Sequence, residues 1–139
     1  MSETSITKTV FFKASRKTVW EFLTDKDKLG EWFHPAENNL SDGNEYALMG
    51  KTDDGGPKKI CWGEVTAWNP YSELAYSFTV GPMGGVLSQV HWKLEEVGAG
   101  TRLTLEHTNL ATTDDAFGIV MAFDAGWDRH FASLRESLA

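Results

Sequence analysis

Asp124 is the polar residue whose placement matters most, because it interrupts a run that is otherwise apolar. Phe117, Val120, Asp124, Trp127, Phe131, Leu134 and Leu138 recur at spacings of three and four, the signature of one helix face. A carboxylate carried inward on that face needs a hydrogen-bond donor or a shifted pKa. His107 shares the apolar side of an alternating run with Leu103 and Leu105, the side expected to meet the helix. An Asp124–His107 pair meeting in the interior would orient a polar ligand group or work as acid and base. The other placement leaves Asp124 at the edge of the stripe, in water.

The remaining reactive side chains are sparse. His34 follows Trp32-Phe33 and reads as a solvated loop residue or one at a pocket mouth. His91 alternates with Trp92 and is expected to face outward, and His130, beside Phe131, to lie at the surface. With no His-x-x-x-His spacing, no metal site is expected. The chain contains no Gly-x-Ser-x-Gly, P-loop or dinucleotide-binding glycine pattern. Cys61, the single cysteine, excludes an internal disulfide and sits in an apolar strand-like run as an inert thiol. No residue is assigned a catalytic role, and no cofactor is expected.

The elements that must position these groups follow from periodicity. Ile6–Phe12 alternates as a first strand. Ser15 has the chemistry of a helix N-cap, with Val19, Trp20, Phe22 and Leu23 as the apolar stripe; Asp25 and Asp27 open a second short helix that Pro35 ends. Turn residues at Asp42-Gly43-Asn44 and Asp53–Pro57 bracket a strand at Glu45–Met49. Strands follow at Ile60–Trp68, at Leu74–Val80, through Val86–Glu95 and at Thr101–Leu110. Short turns between successive strands imply an antiparallel meander. The last helix runs from about Thr113, where Thr113 or Asp114 would cap it, to Leu138.

This order predicts a curved six-stranded sheet whose apolar face is covered by the final helix. One helix cannot fill the whole concavity, so an apolar pocket is expected between them. Its wall is assigned to Trp32, Tyr46, Phe78, Trp92, His107, Phe117, Val120, Met121, Asp124 and Trp127. The glycine-bearing turns at Gly81–Gly85 and Asp53–Pro57 are expected to gate it.

Composition narrows the partners. At 139 residues the chain suits one domain, 1–139, large enough to bury a sizeable core. The net charge of −7, without a Lys/Arg stripe, argues against nucleic acid. No signal peptide and no membrane span are expected, and a cytoplasmic location follows.

Several stretches carry a family resemblance. They are Ala14–Asp25 (Ala-Ser-Arg-Lys-Thr-Val-Trp-Glu-Phe-Leu-Thr-Asp), Leu29 with Trp32-Phe33-His34-Pro35, and Gly63-Glu64-Val65 leading to Asn69-Pro70-Tyr71-Ser72-Glu73-Leu74. Gly100–His107 and the late Gly126-Trp127, followed by Leu134 and Leu138, complete them. With these the chain resembles the START-like (Bet v 1-like, SRPBCC) superfamily over nearly its whole length. Within it, the chain is similar to the family of the C-terminal domain of the activator of the 90-kDa heat-shock protein ATPase. The N-terminal domain of full-length eukaryotic activators, and the helical segment that links their two domains, have no counterpart in it. The resemblance implies an α+β helix-grip fold in the order β-α-α-β-β-β-β-β-α, with the sheet around a long C-terminal helix. It also implies a hydrophobic small-molecule or lipid-like ligand, in a monomer or homodimer. The alternatives are a chaperone partner in a stress response, or a cyclase, dehydratase or hydrolase activity in the same cavity.

Overall fold

The computed structural model describes residues 5–80, 87–110 and 117–138. Among them lie six strands and three helices in the expected order: β1 (Ile6–Phe12), α1 (Arg16–Thr24), α2 (Lys26–Trp32), β2 (Glu45–Lys51), β3 (Pro57–Asn69), β4 (Glu73–Val80), β5 (Ser88–Val97), β6 (Gly100–Thr108) and α3 (Phe117–Ser137). The α+β helix-grip architecture is therefore present. The expected cap of α3 at Thr113 or Asp114 and the turn at Gly81–Gly85 fall outside the described residues.

Local chemistry sets the short helices. Ser15 Oγ accepts the Thr18 backbone N–H at 3.2 Å and starts α1. Asp25 both ends α1, donating its N–H to the Glu21 carbonyl, and starts α2 by accepting from the Asp27 and Lys28 N–H groups at 2.9 and 3.0 Å. After Pro35 the chain is pinned to the edge of β2. The Met49 N–H donates to Pro35 O at 2.7 Å, and the Glu37 N–H donates to Ala47 O at 2.9 Å. The Phe33-His34 corner is thereby held at the rim of the sheet.

The strand order is β1-β6-β5-β4-β3-β2, with antiparallel pairing throughout. Strands β2 to β6 form the meander, and α1 and α2 carry the chain across from β1 at the opposite edge. Register shifts at Leu48/Met49 and Val65/Ala67 bend β2 and β3. β3 begins at Pro57 rather than Ile60, because Lys58 and Lys59 extend the hairpin arm opposite Gly50 and Met49. Those residues are exposed, so no alternation of apolar side chains announces them.

One side of the sheet carries the core: Leu74, Tyr76 and Phe78 on β4, Ser88, Val90, Trp92 and Leu94 on β5, and Leu103, Leu105 and His107 on β6, all buried. Against it lies an aromatic layer in which Trp127 stacks on Phe131 at 5.9 Å between centroids and meets Trp92 edge-on at 5.5 Å. The buried face of α3 is rotated from the expected one. Trp127, Phe131 and Leu134 are buried as expected, but the N-terminal half turns Ile119 and Phe123 inward, while Phe117, Met121 and Asp124 are exposed. At about 100° per residue, Phe123 lies about 40° to one side of Trp127 and Asp124 about 60° to the other. The sheet engages the fully apolar flank.

Candidate functional site

A cavity of about 300 Å³ opens between the N-terminal half of α3, the end of α2 and the two strands β3 and β4. Phe33 and His34 form one wall, Cys61 and Phe78 the floor, and Ile119, Ala122, Phe123, Gly126, Trp127, Arg129 and His130 the helix side. That volume is at the lower end of the range for small-molecule pockets, roughly 300–1,000 Å³. Burial pushes the Cys61 thiol up to about 12, so it presents a neutral, unreactive surface at physiological pH.

Two small residues, Ala122 and Gly126, stand among the larger side chains that α3 turns toward this space. Gly126 is buried in the middle of the helix, and a Cβ placed on it would meet only the Arg129 guanidinium, at 3.7 Å. A helical glycine costs roughly 0.5–1 kcal/mol relative to alanine. No steric conflict demands that cost here. Gly63 and Gly100 differ: their Cβ atoms would fall 1.9 Å from the Ser77 carbonyl oxygen and 2.1 Å from that of Phe12. Those two glycines permit close backbone approach, whereas Gly126 leaves the cavity open.

The polar groups around the cavity are basic. The His34 and His130 rings lie 5.6 Å apart and flank Phe33, with centroids at 4.7 and 4.6 Å from it. His130 Nδ1 donates to the Trp32 carbonyl at 3.2 Å, which leaves Nε2 as the acceptor of the neutral ring. Burial, with a smaller contribution from His130, lowers His34; burial also lowers His130, opposed by its bond to Trp32 and assisted by Arg129. Arg129 is exposed and forms no ion pair among the described residues. No carboxylate is among the described lining residues.

His107 stands one layer behind this wall, packed against Phe78, Phe123 and Trp127. It is fully buried, and Trp127 Nε1–H donates to its Nδ1 at 3.1 Å. The ring proton is therefore on Nε2, which donates to Ser88 Oγ at 2.8 Å; Ser88 passes its own proton to Phe78 O at 2.8 Å. Burial pushes His107 down to about 4. Protonating Nδ1 would also break the bond from Trp127.

The structure divides the residues assigned to the wall. Phe78 and Trp127 line the cavity. Val120 packs half-buried on the core. Trp32, Tyr46 and Trp92 are core residues with satisfied polar atoms: Trp32 Nε1 donates to Phe22 O at 2.7 Å, Tyr46 Oη to Ser77 O at 2.7 Å, and Trp92 Nε1 to Tyr76 Oη at 2.9 Å. Phe117 and Met121 are corrections, 58% and 60% exposed on the outer flank of α3. Asp124 is a further correction. Its side chain is 60% exposed and pairs with Lys8 of β1 at 2.8 Å, as Asp128 does at 3.0 Å. The Asp124–His107 pair does not form, and its acid–base mechanism has no geometry here. His91 is half-buried against Glu73 at 2.8 Å rather than simply outward. His130, expected at the surface, borders the cavity with His34. The alternation of small and large residues at Ala122, Phe123, Gly126 and Trp127 was the signal for the cavity flank. No cluster suited to a metal ion occurs among the described residues, and none of their helices is long and apolar enough to cross a membrane.

Comparison with known proteins agrees with this architecture. Crystalline CalU16 from Micromonospora echinospora is 26% identical, with a TM-score of 0.74 over 94% of this chain and 73% of that one. A Bordetella parapertussis protein, also 26% identical, superposes with a TM-score of 0.76 over 100% of this chain and 76% of its own. The Aha1 dimer from Colwellia psychrerythraea, at 20% identity, shares the fold with a TM-score of 0.73 over 96% of this chain and 95% of that one. No protein of curated function matches. The model of the family described as Activator of Hsp90 ATPase homolog 1-like protein matches residues 13–139, and the chain belongs to that family.

Proposed function

We propose that this protein binds an apolar small molecule in the cavity between the sheet and α3. The observation that carries the reading is the buried Gly126, a destabilising helix residue with no backbone conflict, beside an aromatic-lined space of about 300 Å³. Binding rather than catalysis is favoured by the side chains at hand. Cys61 is held protonated, His107 is committed to Trp127 and Ser88, and Asp124 faces Lys8. Titration with the fluorescent apolar probe N-phenyl-1-naphthylamine tests this reading. Saturable enhancement at one probe per chain is expected, and a linear, unsaturable signal would overturn it.

A second reading, regulation of the Hsp90 ATPase, is favoured by the family's description and by the exposed Phe117 and Met121, one helical turn apart on α3. Turnover of ATP by that chaperone, measured with and without this protein, tests it. A change that disappears in Phe117→Ser with Met121→Ser supports a docking role, and an unchanged rate contradicts it.

A further inference from the structure

The cavity has an apolar body and a basic rim, and the two features together specify a ligand more narrowly than either alone. Arg129 is placed so that its guanidinium lies over the flank of Gly126, where a glycine Cβ would meet it at 3.7 Å, and therefore beside the open space. His130 is adjacent in sequence, and the His34 ring is 5.6 Å from it. The two carboxylates nearest along the helix, Asp124 and Asp128, are both engaged by Lys8 on β1. Three basic side chains thus border a cavity whose described lining supplies no acid. Of the three, Arg129 has no ion-pair partner among the described residues, and a planar guanidinium pairs with a carboxylate through two parallel hydrogen bonds.

Resting on the binding reading above, we infer that the ligand is an amphipathic carboxylate. Its apolar body lies among Phe33, Phe78, Phe123 and Trp127, and its carboxylate meets Arg129 at the rim beside His34 and His130. Burial, the largest cause, holds both histidines below the ordinary range, so their neutral rings flank the carboxylate while Arg129 supplies its charged partner.

Isothermal titration of the full chain with matched probes tests the assignment. The pairs are 2-naphthoate against 2-naphthamide and decanoate against decanol, which share a body and differ in the head group's charge. At least one carboxylate is expected to bind about tenfold or more tightly than its neutral partner. Arg129→Gln should bring that ratio to about one, while Arg129→Lys retains part of it. A preference for naphthoate assigns a flat aromatic acid, and a preference for decanoate a fatty acid. Equal affinity within both pairs, or a preference that survives Arg129→Gln in a folded variant, would overturn the inference. Binding of the neutral probes alone leaves the apolar-binding reading intact, whereas no binding of any probe overturns both.

Discussion

His107 is a buried base that the fold holds in one tautomer, and its chemistry makes a pH prediction. Its native pKa of about 4 lies below the ordinary value of about 6.5 expected for the unfolded chain. Between those values the unfolded state binds the extra proton, so stability is complete above about pH 6.5 and is lost as pH falls through 4. The loss from His107 alone amounts to roughly 3 kcal/mol, and the lowered His34 and His130 act with the same sign. Replacing His107→Leu removes the acceptor of the Trp127 indole N–H and costs about 1–3 kcal/mol at pH 7. It should also shrink the acid-induced loss between pH 6.5 and 4. Urea denaturation across that range checks both, and an unchanged pH slope would show that another group titrates. The inward face of β6 was readable from the alternation of Leu103, Leu105 and His107. The partners of His107 were not, since Ser88 and Trp127 stand 19 and 20 residues away along the chain. Asp124 misled for a related reason: Lys8 offers it an ion pair across the fold that no local spacing encodes.

At the scale of the element, glycines separate what holds the fold from what shapes the site. On β3, Gly63 meets the backbone of β4, and Gly63→Ala should destabilise by roughly 3 kcal/mol or more, because a carbonyl oxygen cannot swing aside as a side chain can. In α3, Gly126→Ala should instead raise stability by about 0.5–1 kcal/mol. Chemical denaturation of the two variants distinguishes them by sign. Periodicity located α3 and its C-terminal half correctly, through Trp127, Phe131 and Leu134. It was ambiguous in the N-terminal half, where Phe117 and Val120 on one flank compete with Ile119 and Phe123 on the other. The curved sheet decides between them, selecting the side free of a carboxylate. Caps were more legible, because Ser15 and Asp25 act on backbone groups only two or three residues away.

For the whole molecule, a bent antiparallel sheet closed by β1 against β6 and covered by α3 leaves one flank of the helix unpacked. The order of elements and the existence of an unfilled concavity followed from strand alternation and the change of period after β6. The cavity's location did not, because it depends on Gly126 and Ala122 meeting Phe33 and His34, residues brought together by the corner after α2. The acidic net charge of −7 gave no sign of the local basic rim at His34, Arg129 and His130. Filling that space from the helix side tests the central claim most directly. Titration of Gly126→Leu with N-phenyl-1-naphthylamine should show binding reduced at least about tenfold, with a melting temperature no lower than that of the unsubstituted protein. Undiminished binding by the folded Gly126→Leu variant would contradict the account.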